Sequence, residues 1–394
     1  MPLDTAPSSP SEAASSDPTG DAATDRDRAA RGSPSFGRAT PSDRDPPAAD
    51  SLRVLFELTH PAHVHLFRHA VRELVDEGAT VGVTSREKDV TTDLLDAYGL
   101  PHTVLSRRGE GRGSLLREWG VRAQRLLRAA RRFDPDVIVS RLNPASPHVA
   151  TLVGARSVVF HDTELAGALA RVSLPFADVV CTPERFERRY GDRQVSYPGY
   201  HELAYLHPAR FEPDPDRLRR AGVDPEEPYA VVRLVSNTAH HDVGTEGLST
   251  DVGEAVVERL AERGAVHVTS ERPLDPALER YRTTVPAEAI HDLLAYADLF
   301  VGDSATMATE AGVLGTPSLR YSPHEGTMSN FDELEHEYGL VTTVRDADRL
   351  PGAVSDLLDR PALAATWERR RDRLLADKVD VTDVIVSVTR GVTA

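Results

Sequence analysis

The sequence predicts an α/β protein of two Rossmann-like halves, each a parallel sheet covered by helices, behind a disordered tail. Three observations predict it. The 394 residues are more than one ordinary domain needs. From Leu52 onward, short apolar runs alternate with longer helical stretches, the mark of βαβ units on a buried parallel sheet. That rhythm breaks once, over residues 206–228, where Pro208, Pro213, Pro215, Pro225 and Pro228 punctuate a polar segment, and then resumes. The expected division is a tail at 1–50, a first half at 51–207 and a second at 208–394, with a ligand in the cleft between the halves.

The elements follow in order. Residues 1–50 are rich in Ser, Pro, Ala, Asp and Gly, with almost no large apolar side chain, and cannot bury enough surface to offset their ordering entropy. Residues 53–58 read as a strand, 65–77 as a helix closed by Gly78, and 80–84 as a second strand. A helix over 88–98 stops at Gly99, and 102–105 is a strand. A long Arg-rich helix over 114–132 leads to strands at 137–139 and 157–160. The break holds one short helix, 216–221. Strands at 229–234, 266–268, 299–301 and 317–319 form the second series, and the last stretch is helical with Arg-rich faces.

Charge bears on environment more than on reaction. The formal net charge is −16, most of it outside the tail, and lysine occurs only at Lys88 and Lys378. Acid excess with lysine nearly absent resembles proteins of archaeal cells with concentrated internal salt. A net negative surface repels phosphates, so nucleic acid is not an expected partner. No apolar run approaches the ~18 residues of a membrane helix, and no secretory leader is read, so the expected address is cytoplasmic. Cys181, the single cysteine, excludes an internal disulfide and a cysteine zinc site, and reads as a core thiol.

The segment 298–317 carries the strongest chemistry: a strand, a turn of small and hydroxyl residues, a helix opening near Ser304, then Gly-Thr-Pro into another strand. Free amides at such a helix start, with Asp303, Ser304, Ala305 and Thr306 around them, suit a diphosphate. Glu310, six positions on, is placed to accept a ribose diol. The plainer alternative is that Asp303 or Ser304 caps the helix and Glu310 is solvated. After the first strand, His60, His63 and His65 crowd one loop. Their spacing is poor for joint metal ligation, so no metal is expected, and substrate contact or acid/base work stands beside ordinary loop packing. Asp162 and Glu164 follow another strand, as an acid/base pair or as a cap and first-turn residue. Arg86, Arg233 and His201 complete the polar residues near expected cleft loops, and the pairs Glu202 and His240–His241–Asp242 lie in similar loops. There is no Gly-x-Gly-x-x-Gly, no P-loop and no Gly-x-Ser-x-Gly, which disfavours dehydrogenase, P-loop NTPase and α/β-hydrolase chemistry.

The 298–317 segment resembles the nucleotide-diphosphate site of the GT-B superfamily, above all the non-hydrolysing UDP-N-acetylglucosamine 2-epimerases. Their pattern is Asp-Ser-Gly-Gly with a Glu six residues after the Ser. Ser304 and Glu310 match, Arg320 matches an Arg ending the next strand, and Ala305-Thr306 replaces Gly-Gly. Residues 52–390 resemble an archaeal domain-of-unknown-function family of this superfamily, through Thr59–His65, Thr84-Ser85-Arg86, Phe160–Glu164 and Pro198–Leu203. The resemblance implies a GT-B-like fold and a nucleoside-diphosphate sugar, UDP-linked, as ligand, with no cofactor. It implies nucleotide contacts from Arg86, His201, Arg233, Asp303, Ser304, Ala305, Thr306, Glu310 and Arg320, and catalytic roles for His60, His63, Asp162 and Glu164. Epimerases carry an acidic residue after the strand that here ends Ser140-Arg141-Leu142-Asn143, so sugar transfer is expected ahead of epimerisation, with non-catalytic sugar-nucleotide binding as the rival. A glycan or lipid-linked acceptor and a homodimer are open to such a protein.

Overall fold

The computed structural model describes residues 52–88, 90–107, 112–234, 248–270, 273–323 and 328–393. The tail and His240–His241–Asp242 therefore lie outside the described residues.

The first half runs β1 (Arg53–Leu58), α1 (Pro61–Asp76), β2 (Thr80–Glu87), α2 (Thr91–Ala97), β3 (Thr103–Arg107), α3 (Arg112–Phe133), β4 (Val137–Arg141), α4 (Ser146–Val153), β5 (Arg156–Phe160), α5 (Gly167–Ser173), β6 (Val179–Pro183), β7 (Gln194–Tyr197) and α6 (Leu203–Leu206). Its seven strands are ordered β3-β2-β1-β4-β5-β6-β7 and pair in parallel. The second half runs α7 (Pro215–Arg220), β8 (Tyr229–Arg233), α8 (Thr250–Ala261), β9 (Ala265–Thr269), α9 (Pro276–Glu279), α10 (Ile290–Ala295), β10 (Leu299–Gly302), α11 (Ala305–Leu314), β11 (Ser318–Tyr321), α12 (Ser329–Asp332), β12 (Val341–Val344), α13 (Leu350–Leu358), α14 (Leu363–Asp377) and α15 (Val381–Gly391). Its five strands are ordered β12-β11-β10-β8-β9, again parallel.

The strands are apolar on both faces because helices cover both. Val54 and Phe56 pack with α1 residues Val64, Phe67 and Val71. Leu55 and Ile138 face the opposite way, onto Leu126 and Ala130 of α3 and Val149 of α4. Alternation of side chains along a strand enforces this division. Cys181 is a core residue, its thiol pushed up by burial.

Two features position the site. In each sheet the strand order reverses direction once, between β1 and β4 and between β8 and β10; ligands of open parallel sheets bind outside the carboxyl ends of the strands at such points. The chain also crosses between the halves twice. After leaving through α7, it returns after α14, and α15 packs against α1 and α6. Arg210 clamps the return, donating to Glu73 Oε2 (2.8 Å), Asp380 Oδ2 (2.5 Å) and Asp383 Oδ1 (2.5 Å).

Candidate functional site

The reversal point of the second sheet is built from one row of residues. Gly302, the last residue of β10, is in register with Arg233 of β8 on one side and Arg320 of β11 on the other. In-register neighbours of a parallel sheet project to the same face, so two guanidiniums flank a position without a side chain. That position tolerates nothing larger, since a Cβ on Gly302 would come 2.5 Å from the Arg233 carbonyl oxygen. Ser318 of the same face donates to the Ala308 carbonyl, which identifies it as the face covered by α11. Arg320 lies 3.8 Å from the Phe331 ring centroid. Its Nε is buried with no hydrogen-bond partner among the described residues, and burial lowers its pKa.

Helix α11 opens directly over this row. Ser304 is its N-cap and accepts from the Met307 amide (3.3 Å), while Asp303 accepts from the Leu248 amide (3.2 Å). The capping alternative thus holds for Ser304 itself. Ala308 closes the first backbone turn on Ser304, and Ala305 and Thr306, both half-buried, contribute the opening amides. Glu310 is not the solvated helix residue of the plainer alternative. It is buried, and its Oε1 accepts from Tyr205 Oη of α6 (2.8 Å) and lies 3.0 Å from His291 Nε2 of α10. The carboxylate thereby ties α11 to the first half. The ring of His65 packs beside this tie, 4.6 Å from His291 and 5.3 Å from Tyr205 between centroids.

The reversal point of the first sheet gathers a second cluster. His60 caps α1, its Nδ1 accepting the Ala62 amide (3.2 Å), and His63 Nδ1 accepts the Thr59 amide (3.3 Å). A ring nitrogen that accepts an amide hydrogen carries none itself, so each neutral imidazole bears its hydrogen on Nε2. Burial, with the Arg141 charge, holds His63 well below the ordinary histidine pKa. Both rings are thus built as N–H donors rather than as general bases.

Arg141, at the end of β4, stands where the epimerases carry an acidic residue, the departure already visible in the sequence. It pairs with Asp162, and His201 Nδ1 lies 2.8 Å from the other carboxylate oxygen. Burial works to raise the Asp162 pKa, but Arg141 and His201 outweigh it and hold it well below the usual range. His201 is lowered by burial, and its Nε2 is buried with no hydrogen-bond partner among the described residues. Glu202 beside it is pushed up to about 8, by burial first and then by the Asp162 charge. Glu164, in a 3₁₀ turn, accepts from Ser329 Oγ of α12 in the second half (2.5 Å); its Oε2 is buried without a partner among the described residues.

Arg86 stands apart. Its guanidinium forms a two-pronged pair with Glu118 of α3 (2.6 and 2.7 Å), so its charge is answered within the first half rather than offered to an anion. Sequence reasoning did not single out Arg141, Tyr205 or His291 as site residues. For Arg141 the signal was available, a charge ending an apolar strand.

Comparison with known proteins gives the family and the fold. A family model described as protein of unknown function (DUF354) matches residues 52–387. The uncharacterized protein MJ0665 of Methanocaldococcus jannaschii is 24% identical over 288 residues, covering 70% of this chain and 83% of that protein. Among solved structures, UDP-GlcNAc 2-epimerase from Neisseria meningitidis bound to UDP-GlcNAc is similar at a TM-score of 0.61 and 12% identity, over 86% of this chain and 99% of its own. The spinosyn forosaminyltransferase SpnP is similar at 0.57 and 16%, over 86% and 99%. UDP-GlcNAc 2-epimerase from Methanocaldococcus jannaschii is similar at 0.54 and 12%, over 82% and 99%. The fold is the GT-B arrangement.

Proposed function

The chain belongs to the DUF354 family, and from that membership and the site geometry we propose that it binds a nucleoside-diphosphate sugar, UDP-linked, and transfers the sugar without a metal. One observation carries this reading: Gly302 flanked in register by Arg233 and Arg320, under the opening turn of α11. Two guanidiniums and the free amides of a helix start answer the two negative charges of a pyrophosphate, and the missing side chain leaves it room.

The first-half cluster supplies the other partner. His63 offers an Nε2–H group to a hydroxyl of the sugar or acceptor, with the His60 ring beside it. In the transfer step the acceptor oxygen forms a bond to the anomeric carbon, and the bond from that carbon to the diphosphate oxygen breaks. The electron pair leaves with the nucleoside diphosphate, whose growing charge the Arg pair and α11 stabilise. The acceptor proton passes to Glu164, whose Oε2 has no other partner among the described residues. The epimerases carry an acidic residue after the strand matching β4, and here Arg141 stands at that end and locks Asp162, which is held low and is a poor base for a carbon-bound proton. That pairing favours transfer.

The test is calorimetric titration of UDP into the full chain and its Arg320→Ala variant, with a chelator present. Loss of one charged hydrogen-bonding group predicts affinity weakened by about 1.5–3 kcal/mol, roughly tenfold or more. An unchanged dissociation constant, or no UDP binding by the unaltered chain, overturns the reading.

A further inference from the structure

The face of the first sheet that carries α3, α4 and α5 differs in charge from the rest of the molecule. From residue 121 to its end, α3 carries Arg122, Arg125, Arg128, Arg131 and Arg132 and no carboxylate, and α4 and α5 carry none at all. Arg122 is buried against Glu57, whereas the other four are exposed. Arg128, Arg131 and Arg132 have no carboxylate partner among the described residues. Asp134, just past the end of α3, is exposed and pairs with none of them, while Asp136 accepts the Arg53 amide and Asp178 pairs with Arg156. In a chain with 62 acidic and 46 basic residues, a helical layer this free of carboxylates is a local reversal of sign.

The same layer exposes large apolar side chains. Leu152 is 65% exposed, Val172 57%, Phe176 45% and Trp119 39%. Leu152, Val172 and Phe176 gather at one end, where the Phe176 ring lies 4.1 Å from His148, one turn before Leu152. Beside them a cavity of about 380 Å³ is lined by Leu174, Val180, Tyr190, Arg171, Arg188 and Arg193. Arg193 donates only to the Pro175 and Ala177 carbonyls, and the Tyr190 hydroxyl is buried with no partner among the described residues.

We propose that this face docks on an anionic lipid bilayer, its arginines on lipid phosphates and Leu152, Val172 and Phe176 in the headgroup layer. Charge complementarity identifies the occupant. Cations alone would equally suit nucleic acid, but exposed aliphatic and aromatic side chains interleaved with them match the amphipathic boundary of a bilayer. No described helix is long and apolar enough to cross a membrane, so contact is at the surface.

Flotation of the full chain with vesicles tests this at about 0.1 M salt, where surface charge is still felt. The chain is expected to float with vesicles of phosphatidylcholine containing phosphatidylglycerol, and not with phosphatidylcholine alone. Arg128→Glu/Arg131→Glu should weaken flotation by roughly tenfold or more. Val172→Asp/Phe176→Asp should also weaken it, while Arg259→Glu/Arg263→Glu, on α8 and in the turn after it, should leave it unchanged. All positions are exposed, and melting temperatures confirm that the variants fold. Equal binding to neutral and anionic vesicles, no flotation, indifference to the first two variants, or preference for duplex RNA over anionic vesicles would each overturn the proposal. UDP titration of the same variants keeps this outcome separate from the nucleotide-sugar reading.

Discussion

Glu202 is the residue whose protonation the fold disturbs most usefully. Held at about 8 by burial and by Asp162, it keeps a proton that an unfolded glutamate, near 4.5, has already released at neutrality. Its contribution is therefore intact below about pH 4.5 and lost as pH rises through 8, at roughly 1.4 kcal/mol per pH unit in between. Glu202→Gln, neutral and of similar shape, should flatten that slope: melting temperatures of the variant should fall less than those of the unaltered chain between about pH 6 and pH 9. Parallel slopes would show that Glu202 ionises normally. At this scale the sequence revealed positions but not pairings. Asp162 and Glu310 stood out by motif, yet Arg141 is 21 residues from the one and Tyr205 is 105 from the other. Contacts across such separations come from topology, which a linear pattern does not display.

Among elements, the β10–α11 junction is the most constrained. Strand, turn and helix follow within four residues, and the Gly302 backbone lies against β8 closely enough to exclude a Cβ. Gly302→Ala should force a shift of strand or turn, costing about 1–3 kcal/mol in urea unfolding and weakening UDP binding in parallel. Full stability with full affinity would show that the row is looser than its geometry. The buried strands β1, β4, β5, β8 and β10 were legible because covering helices make them apolar on both faces. Of the four edge strands, β3 and β9 were read but β7 and β12 were not, and the interior strand β6 was missed as well. β7 (Gln-Val-Ser-Tyr) and β12 (Val-Thr-Thr-Val) are four residues long and half polar, since an edge needs less apolar surface. Helix α1 begins at Pro61, four residues before the expected start, because His60 caps it and Pro61 suits a first helical position.

In the whole molecule, a buried ionic knot joins the halves. Glu333, in a single π turn after α12, receives Tyr200 Oη (2.5 Å) and Lys378 Nζ (2.6 Å). Lys378, one of two lysines in the chain, is itself buried. Lys378→Met should destabilise the protein by about 3 kcal/mol, because a buried carboxylate loses its principal cation, and adding Glu333→Gln should recover much of the loss. Additive losses in urea unfolding of the double variant would show that the two groups act independently.

The twofold passage of the chain between the halves, out before α7 and back before α15, has a mechanical corollary. Two bodies joined by one thread can twist freely, but two threads define a line. Because Arg210 pins the returning thread to the departing one, any relative motion of the sheets is expected to run as a swing about that line, like a door on paired pins. It starts only once the Tyr205–Glu310, Ser329–Glu164 and Tyr200–Glu333 contacts part. The arginine row over Gly302 and the histidines of the opposite sheet then approach or part along a single arc.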